Sequence, residues 1–266
     1  MCWRGLFVVV LVVVLVGVAW GGPTQARAVR RLFEPTDLEL EGQGRAELDL
    51  QAGLVRGPDA FRFAVPDLEL DVGLLRNLEL DLDGALAVEG PDDGGFAFGG
   101  DEAHLVYDNV WLAFKCGVLA ATAAEGTKFA LGLQAGPKLP VARGASGVGV
   151  EALVLAGVHV GHTHLIVNAG GLVDPAASDA GRPYGVEGGL DLDQELGDSG
   201  HWDLTGEIGG IAFASDDGHQ LNVTVGVSWS PSEWLDLSLV GLGGLLPGSD
   251  RFGLLIGVAP KLALWR

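Results

Sequence analysis

The sequence predicts an all-β protein, an antiparallel transmembrane β-barrel of about twelve strands preceded by an N-terminal signal peptide. Three observations carry this prediction. Apolar and polar residues alternate along most of the chain, with very little helical spacing. The connections between alternating segments are short at one end of the implied barrel and mostly longer at the other. Large aromatic rings fall near the ends of the segments and rarely at their middles.

The first element is the segment from Met1 to about residue 28. Arg4 precedes an apolar run from Leu6 to Trp20, and Ala26-Arg27-Ala28 supplies small residues for cleavage, as Gly21-Gly22 also does. That is the layout of a secretory signal, and a run of about fifteen residues is shorter than the roughly 20 that a spanning helix needs. The expected organisation is therefore a signal peptide at 1–28 and a barrel at 29–266.

Over the whole chain 16 basic residues stand against 35 acidic ones; removing Arg4 and Arg27 with the signal leaves 14 against 35, a net charge of −21. Nucleic acid is excluded as a partner, because it demands Lys and Arg to neutralise phosphates. Of the two cysteines, Cys2 leaves with the signal, and Cys116 then has no partner for an intramolecular disulfide or a cysteine-type zinc site. The 43 glycines are neither periodic as in collagen nor set among disorder-promoting residues. Glycine spread through alternating segments suits a curved, closed sheet.

The clearest strands are Leu68-Glu69-Leu70-Asp71-Val72 and Leu78-Glu79-Leu80-Asp81-Leu82-Asp83, aliphatic on one face and acidic on the other. Alternation of this kind marks strands with two different surroundings. The same reading places strands near 44–57, 61–75, 77–90, 106–121, 127–140 and 149–160, then near 163–174, 184–196, 201–214, 220–230, 234–246 and 252–265. Each reaches the roughly 9–11 residues of a tilted membrane strand.

Connections after strands 2, 6 and 10 are very short, whereas 90–106 and 174–184 are long and polar. Bacterial barrels have short periplasmic turns and longer outer loops, and an even strand number puts both termini on the periplasmic side. The link Pro58-Asp59-Ala60 is a short exception on the loop side. In this topology Trp202, Trp229, Trp234 and Trp265 form a girdle at the periplasmic end, and Phe61, Phe63, Tyr107, Phe213 and Phe252 map to the other end. Amphipathic rings settle at headgroup depth. Phe114 sits mid-strand and belongs to the aliphatic band. A soluble β-sandwich also alternates; the ring placement and the turn lengths favour the barrel.

The last segment, Phe252 to Trp265, looks like the C-terminal strand that outer-membrane assembly machinery reads, although Arg266 follows the terminal ring and Pro260 removes a ladder donor. The expected partners are outer-membrane lipid and that machinery.

With the apolar faces toward lipid, the alternate positions line the lumen. On the first three strands these are Glu47, Asp49, Asp67, Glu69, Asp71, Glu79, Asp81 and Asp83; further on they are Glu187, Asp191, Asp193, Glu195, Asp203 and Glu207. Lys115, Lys138 and Lys261 share the inward parity and are natural partners for the acidic wall. Such a wall favours cations, since a narrow low-dielectric channel focuses the field of its lining charges. The same charges could instead pack a plugged interior.

His159, His162 and His164 crowd one short turn, and His162-x-His164 sets two imidazoles on one strand face. With no carboxylate or thiolate nearby in sequence they read as a polar periplasmic turn, and no metal site is expected. Ser228, Ser230, Ser238 and His219 follow no nucleophile motif, so no enzyme and no cofactor is expected. The stretch Gly144 to Gly149 lacks the Lys-Ser/Thr of a phosphate loop, and the Asp/Glu runs lack the spacing of a calcium loop. The polar loop segments 91–95 and 214–218 are candidates for divalent cations that bridge lipopolysaccharide.

Several of these segments, in order, resemble the transporter-like outer-membrane β-barrel family named for a phenol-degradation pathway. The resembling stretches are Arg62 to Gly73 with Leu78-Glu79-Leu80, Val110 to Lys115, Leu131 to Pro140 and Gly253 to Lys261. Where such proteins often carry an aromatic after the lysine, this chain has Cys116. The resemblance implies a barrel of about a dozen strands that takes up or exports small molecules, aromatic ones among them, and it implies no catalytic residues. The expected function is an outer-membrane channel or transporter for small solutes with a cation-leaning lumen, reached after signal-directed export. The alternative is a non-conducting structural or surface-interaction barrel that acts through the loops 90–106 and 174–184.

Overall fold

A computed structural model describes residues 40–58, 60–90, 104–107, 110–122, 127–140, 147–175, 183–197, 201–214 and 218–265. The expected signal segment 1–28 lies outside them. Thirteen strands follow in chain order: β1 (Arg45–Arg56), β2 (Phe61–Leu75), β3 (Leu78–Glu89), β4 (His104–Tyr107), β5 (Val110–Thr122), β6 (Lys128–Leu139), β7 (Gly149–Val160), β8 (Thr163–Val173), β9 (Tyr184–Glu195), β10 (Trp202–Phe213), β11 (Gln220–Ser232), β12 (Leu235–Gly244) and β13 (Phe252–Ala263).

Every neighbouring pair is antiparallel, and β1 pairs with both β2 and β13, which closes the sheet into a barrel. β4 and β5 share one position beside β3: β4 covers Leu86 to Glu89 and β5 covers Leu78 to Asp83. The ring thus has twelve strand positions. The fourth strand expected from about 106 is described in two pieces, 104–107 and 110–122, the first of which starts at His104. The other strand ends agree with the sequence reading to within about two residues, because the alternation stops where the turn residues begin.

Both termini of the barrel lie at one end. The turns there are 76–77, 161–162 and 233–234, each of two residues, with longer ones at 123–127 and 196–201. Gly161, at φ +64°, takes the left-handed conformation that a two-residue hairpin turn requires. The opposite end carries 90–103, 140–148 and 174–183 among its loops. Gly44, at φ +78°, receives the chain end: Leu264 N–H donates to its carbonyl at 2.7 Å, and a Cβ on Gly44 would lie 2.5 Å from the Trp265 carbonyl oxygen.

Alternation translates into two faces. Along β13 Leu254 is 58% exposed, Leu255 0% and Ile256 61%. Outward positions on the other strands, including Leu133, Val154, Val167, Leu192, Val225 and Leu239, are likewise exposed aliphatics. An apolar surface this extensive is not one that a water-soluble monomer presents.

The inner face is not polar throughout. Val55, Val240, Leu242 and Leu255 form one buried cluster, and Trp111, Ala113, Leu153 and Leu155 form another. Both sit toward the loop end or the middle of their strands. A barrel of this size leaves an interior that side chains can partly fill, so burial inside competes with exposure to lipid for apolar residues.

Candidate functional site: the charged inner wall

The register gathers the charged residues into two arcs. On the first, Glu47 pairs with Asp71 and Asp49 with Glu69 across β1 and β2, while Glu69 pairs with Asp83 and Asp71 with Asp81 across β2 and β3. One carboxylate oxygen from each of Glu69, Asp71 and Asp81 lies within 4.8 Å of the others. On the second arc, Asp191 pairs with Glu207, and Glu195 with Asp203, across β9 and β10; Glu187 and Asp193 share the same face of β9. Like charges placed directly opposite repel. In the strand order the two arcs stand about half-way round the ring from each other.

Cations and amides relieve part of this repulsion. Lys115 Nζ is 3.3 Å from Glu79 Oε1, and Lys138 Nζ is 3.3 Å from Glu151 Oε2. Lys261 Nζ reaches Asp236 Oδ2 at 2.8 Å and Glu47 Oε2 at 3.1 Å. Gln134 Nε2 donates to Asp81 Oδ2. Glu79, Asp81, Asp83 and Asp191 are all buried. A buried carboxylate is tolerated only with such partners. Asp67 belongs to the part of β2 whose side chains lie outside the described residues; its backbone pairs with Gln51.

Three inner-wall residues escaped the sequence reading. Glu151 sits on β7, which is apolar on both faces, so its parity with Leu153 and Leu155 gives no signal. Asp236 lies between Leu235 and Leu237 at the start of β12, so the alternation that marks the other acidic positions does carry its signal. Arg62 bonds Asp250 across 188 residues of sequence, holding the loop 245–251 against β2. Ser249 fastens the same loop to β11, accepting from Leu221 N–H at 2.8 Å and donating to the Leu221 carbonyl at 2.9 Å.

A cavity of about 650 Å³ occupies the turn end of the interior, lined among others by Glu47, Asp49, Asp193, Asp203, Asp236 and Lys261. Leu40 and Glu41 also line it, and Glu41 N–H donates to Glu79.

The four girdle tryptophans lie at the same end. Trp202 and Trp229 stack with centroids 5.7 Å apart at 15°, and both are exposed, as is Trp234 in the 233–234 turn. Trp265 packs its ring against Gly44. At the loop end Phe61 and Phe252 meet edge to face at 6.2 Å, with the Arg56 guanidinium 4.9 Å over Phe61. The side chain of Tyr107 lies outside the described residues.

The serines are not brought to His219. His219 accepts the Phe213 N–H at 3.1 Å at the loop end. Ser228 lies nine residues further along, about 30 Å at roughly 3.3 Å per residue. The three turn histidines, in contrast, meet a carboxylate: His162 Nδ1 is 2.8 Å from Glu195 Oε2.

The architecture is that of the outer-membrane β-barrels. The chain is similar to the KdgM porin at 7% identity, covering 80% of this chain and 98% of that one with a TM-score of 0.50. It is also similar to the NanC porin at 8% identity, covering 81% of this chain and all of that one, with a TM-score of 0.55. At such identities the likeness is one of fold. No family model matches the chain, and no curated protein does.

Proposed function

We propose that this chain is an outer-membrane channel for small solutes whose interior favours cations. The observation that carries the reading is the pair of acidic arcs facing each other across the barrel, with the cavity at their turn-side end. Charges lining a narrow interior of low dielectric raise the local concentration of counter-ions and repel anions. The apolar outer surface supports residence in a bilayer, with the tryptophan end periplasmic and the strand Phe252–Ala263 presented to the assembly machinery. The identity of the solute does not rest on the phenol-degradation family resemblance, which no comparison supports; it rests on charge alone and extends to small cationic or neutral molecules.

Single-channel conductance in planar bilayers tests this. Discrete openings with a reversal potential set by the cation are expected, and neutralising both arcs together (Glu69→Gln, Asp71→Asn, Asp191→Asn, Glu207→Gln) removes the cation preference. A folded barrel that conducts nothing, or that prefers anions, overturns it.

One observation favours the alternative of a non-conducting surface-interaction barrel. The apolar clusters around Leu255 and Leu155 fill part of the cross-section on the loop side. Under that reading the barrel carries no current, and trimming 90–106 or 174–184 abolishes partner binding.

A further inference from the structure

We propose that His159, His164 and Glu195 form a binding site for a divalent transition ion of the Zn²⁺ class at the turn-side rim of the barrel. The site follows from register. The two-residue turn at 161–162 sets His159 directly opposite His164 in the β7–β8 ladder, and both carry the inward parity. β8 in turn pairs His164 with Asp193 of β9, and Glu195 stands two residues further along on the same face.

The side chains converge. The two imidazoles stack with centroids 3.8 Å apart at 27°. Glu195 Oε1 is 4.0 Å from His164 Nε2. One ligand atom from each of the three residues lies within 4.8 Å of the other two. Two ligands at about 2.05 Å from a tetrahedral ion stand about 3.4 Å apart, so a movement of at most about 0.7 Å by each side chain brings the ligand atoms to that spacing. Imidazole with one carboxylate suits Zn²⁺, Cu²⁺ or Ni²⁺ and not the hard, all-oxygen preference of Ca²⁺ or Mg²⁺.

The surroundings supply what metal ligands need from their neighbours. His159 Nε2 lies 2.7 Å from the Gly161 carbonyl, which only accepts, so that nitrogen carries the hydrogen and Nδ1 keeps its lone pair. A donor bond from the far ring nitrogen to a carbonyl is the usual support of a ligating histidine. Glu195 is held by His162 through Oε2 at 2.8 Å, which leaves Oε1 facing His164. His162 is itself placed by two bonds to its carbonyl, from Glu195 N–H at 2.9 Å and from Gln194 Nε2 at 3.0 Å. Two imidazoles stacked at the wet rim of the cavity are therefore oriented toward a carboxylate that a third histidine positions. Three protein ligands leave a coordination position open to water.

The test uses the full mature barrel, without a polyhistidine tag, folded in detergent micelles. Zn²⁺ is titrated by calorimetry, and Co²⁺ is followed by its visible absorption, which reports coordination geometry. One saturable site per chain is expected. His159→Gln and His164→Gln each weaken it at least about 10-fold and abolish the tetrahedral Co²⁺ band, while His162→Ala, a loss outside the ligand set, weakens it by about 10-fold or more. His201→Ala is the control, since His201 bonds the Ser230 carbonyl at a different turn. Heat-modifiable gel migration verifies that each variant is folded; if a glutamine variant is not, His159→Asn or His164→Asn takes its place. Absence of saturable Zn²⁺ binding, or binding unchanged in both histidine variants, overturns the proposal. Neither result bears on conduction.

Discussion

Lys261 on β13 reaches Glu47 on β1, Nζ to Oε2 at 3.1 Å, directly across the pairing that closes the barrel. The same ammonium holds Asp236 of β12 at 2.8 Å, so one cation ties three consecutive strands at the seam. Removing it leaves two carboxylates facing each other in a partly buried place. Lys261→Met is expected to destabilise the barrel by about 1–2 kcal/mol, the lower part of the range for a lost charged partner because water still reaches the group. Urea unfolding in lipid vesicles measures it, and Lys261→Arg should restore most of the loss.

The two faces of β13 respond to different changes. Leu255 is fully buried inside, so Leu255→Ala opens a cavity and costs about 2–4 kcal/mol. Ile256, the next residue, points outward; Ile256→Arg is expected to cost about 2–4 kcal/mol in a bilayer, through the burial of charge in hydrocarbon. Ile256→Ala should cost clearly less than Leu255→Ala. Equal costs for the two alanine variants would contradict the assignment of faces.

Glycine positions divide by what a Cβ would meet. At Gly53 it would lie 2.1 Å from the Leu254 carbonyl oxygen and 2.7 Å from the Leu255 Cα, in the backbone of the closing strand. Gly53→Ala must push β1 and β13 apart, and a loss of about 1–3 kcal/mol is expected. Gly206 has nothing within 4 Å. Gly206→Ala is expected to be neutral or to stabilise by up to about 1 kcal/mol. Thermal unfolding of the two variants side by side, followed on unboiled gels, checks the contrast.

The loop 245–251 is pinned at two places, by Arg62 to Asp250 and by Ser249 to Leu221. Asp250→Asn removes the charge that faces Arg62, and Ser249→Ala removes both bonds to β11. Each is expected to speed trypsin cleavage after Arg251 several-fold while leaving the barrel's unfolding midpoint nearly unchanged. Cleavage at the wild-type rate in the double variant would show that the pins do not hold the loop.

The alternation of residues 68–83 by itself determined that β2 and β3 carry one aliphatic and one acidic face, and short turns such as 161–162 determined where the chain reverses. That information is local, because side chains of a strand take opposite faces with a period of two. The division into strands was therefore legible almost throughout. Glu151 and the apolar clusters around Leu155 and Leu255 were also invisible, because β7 and β13 are apolar on both faces and alternation then carries no direction.

The sequence alone thus determined the strands, their faces and the ends at which rings and turns collect. Only the tertiary structure decided which strands neighbour which, and with it every pairing that joins distant segments. Glu195 stands 33 residues from His162 in the chain, and only the β8–β9 register brings its carboxylate to the histidines. The closure of β1 on β13 likewise brings Lys261 to Glu47. The reason is physical: alternation specifies which way a side chain points, whereas register and closure specify what it meets there.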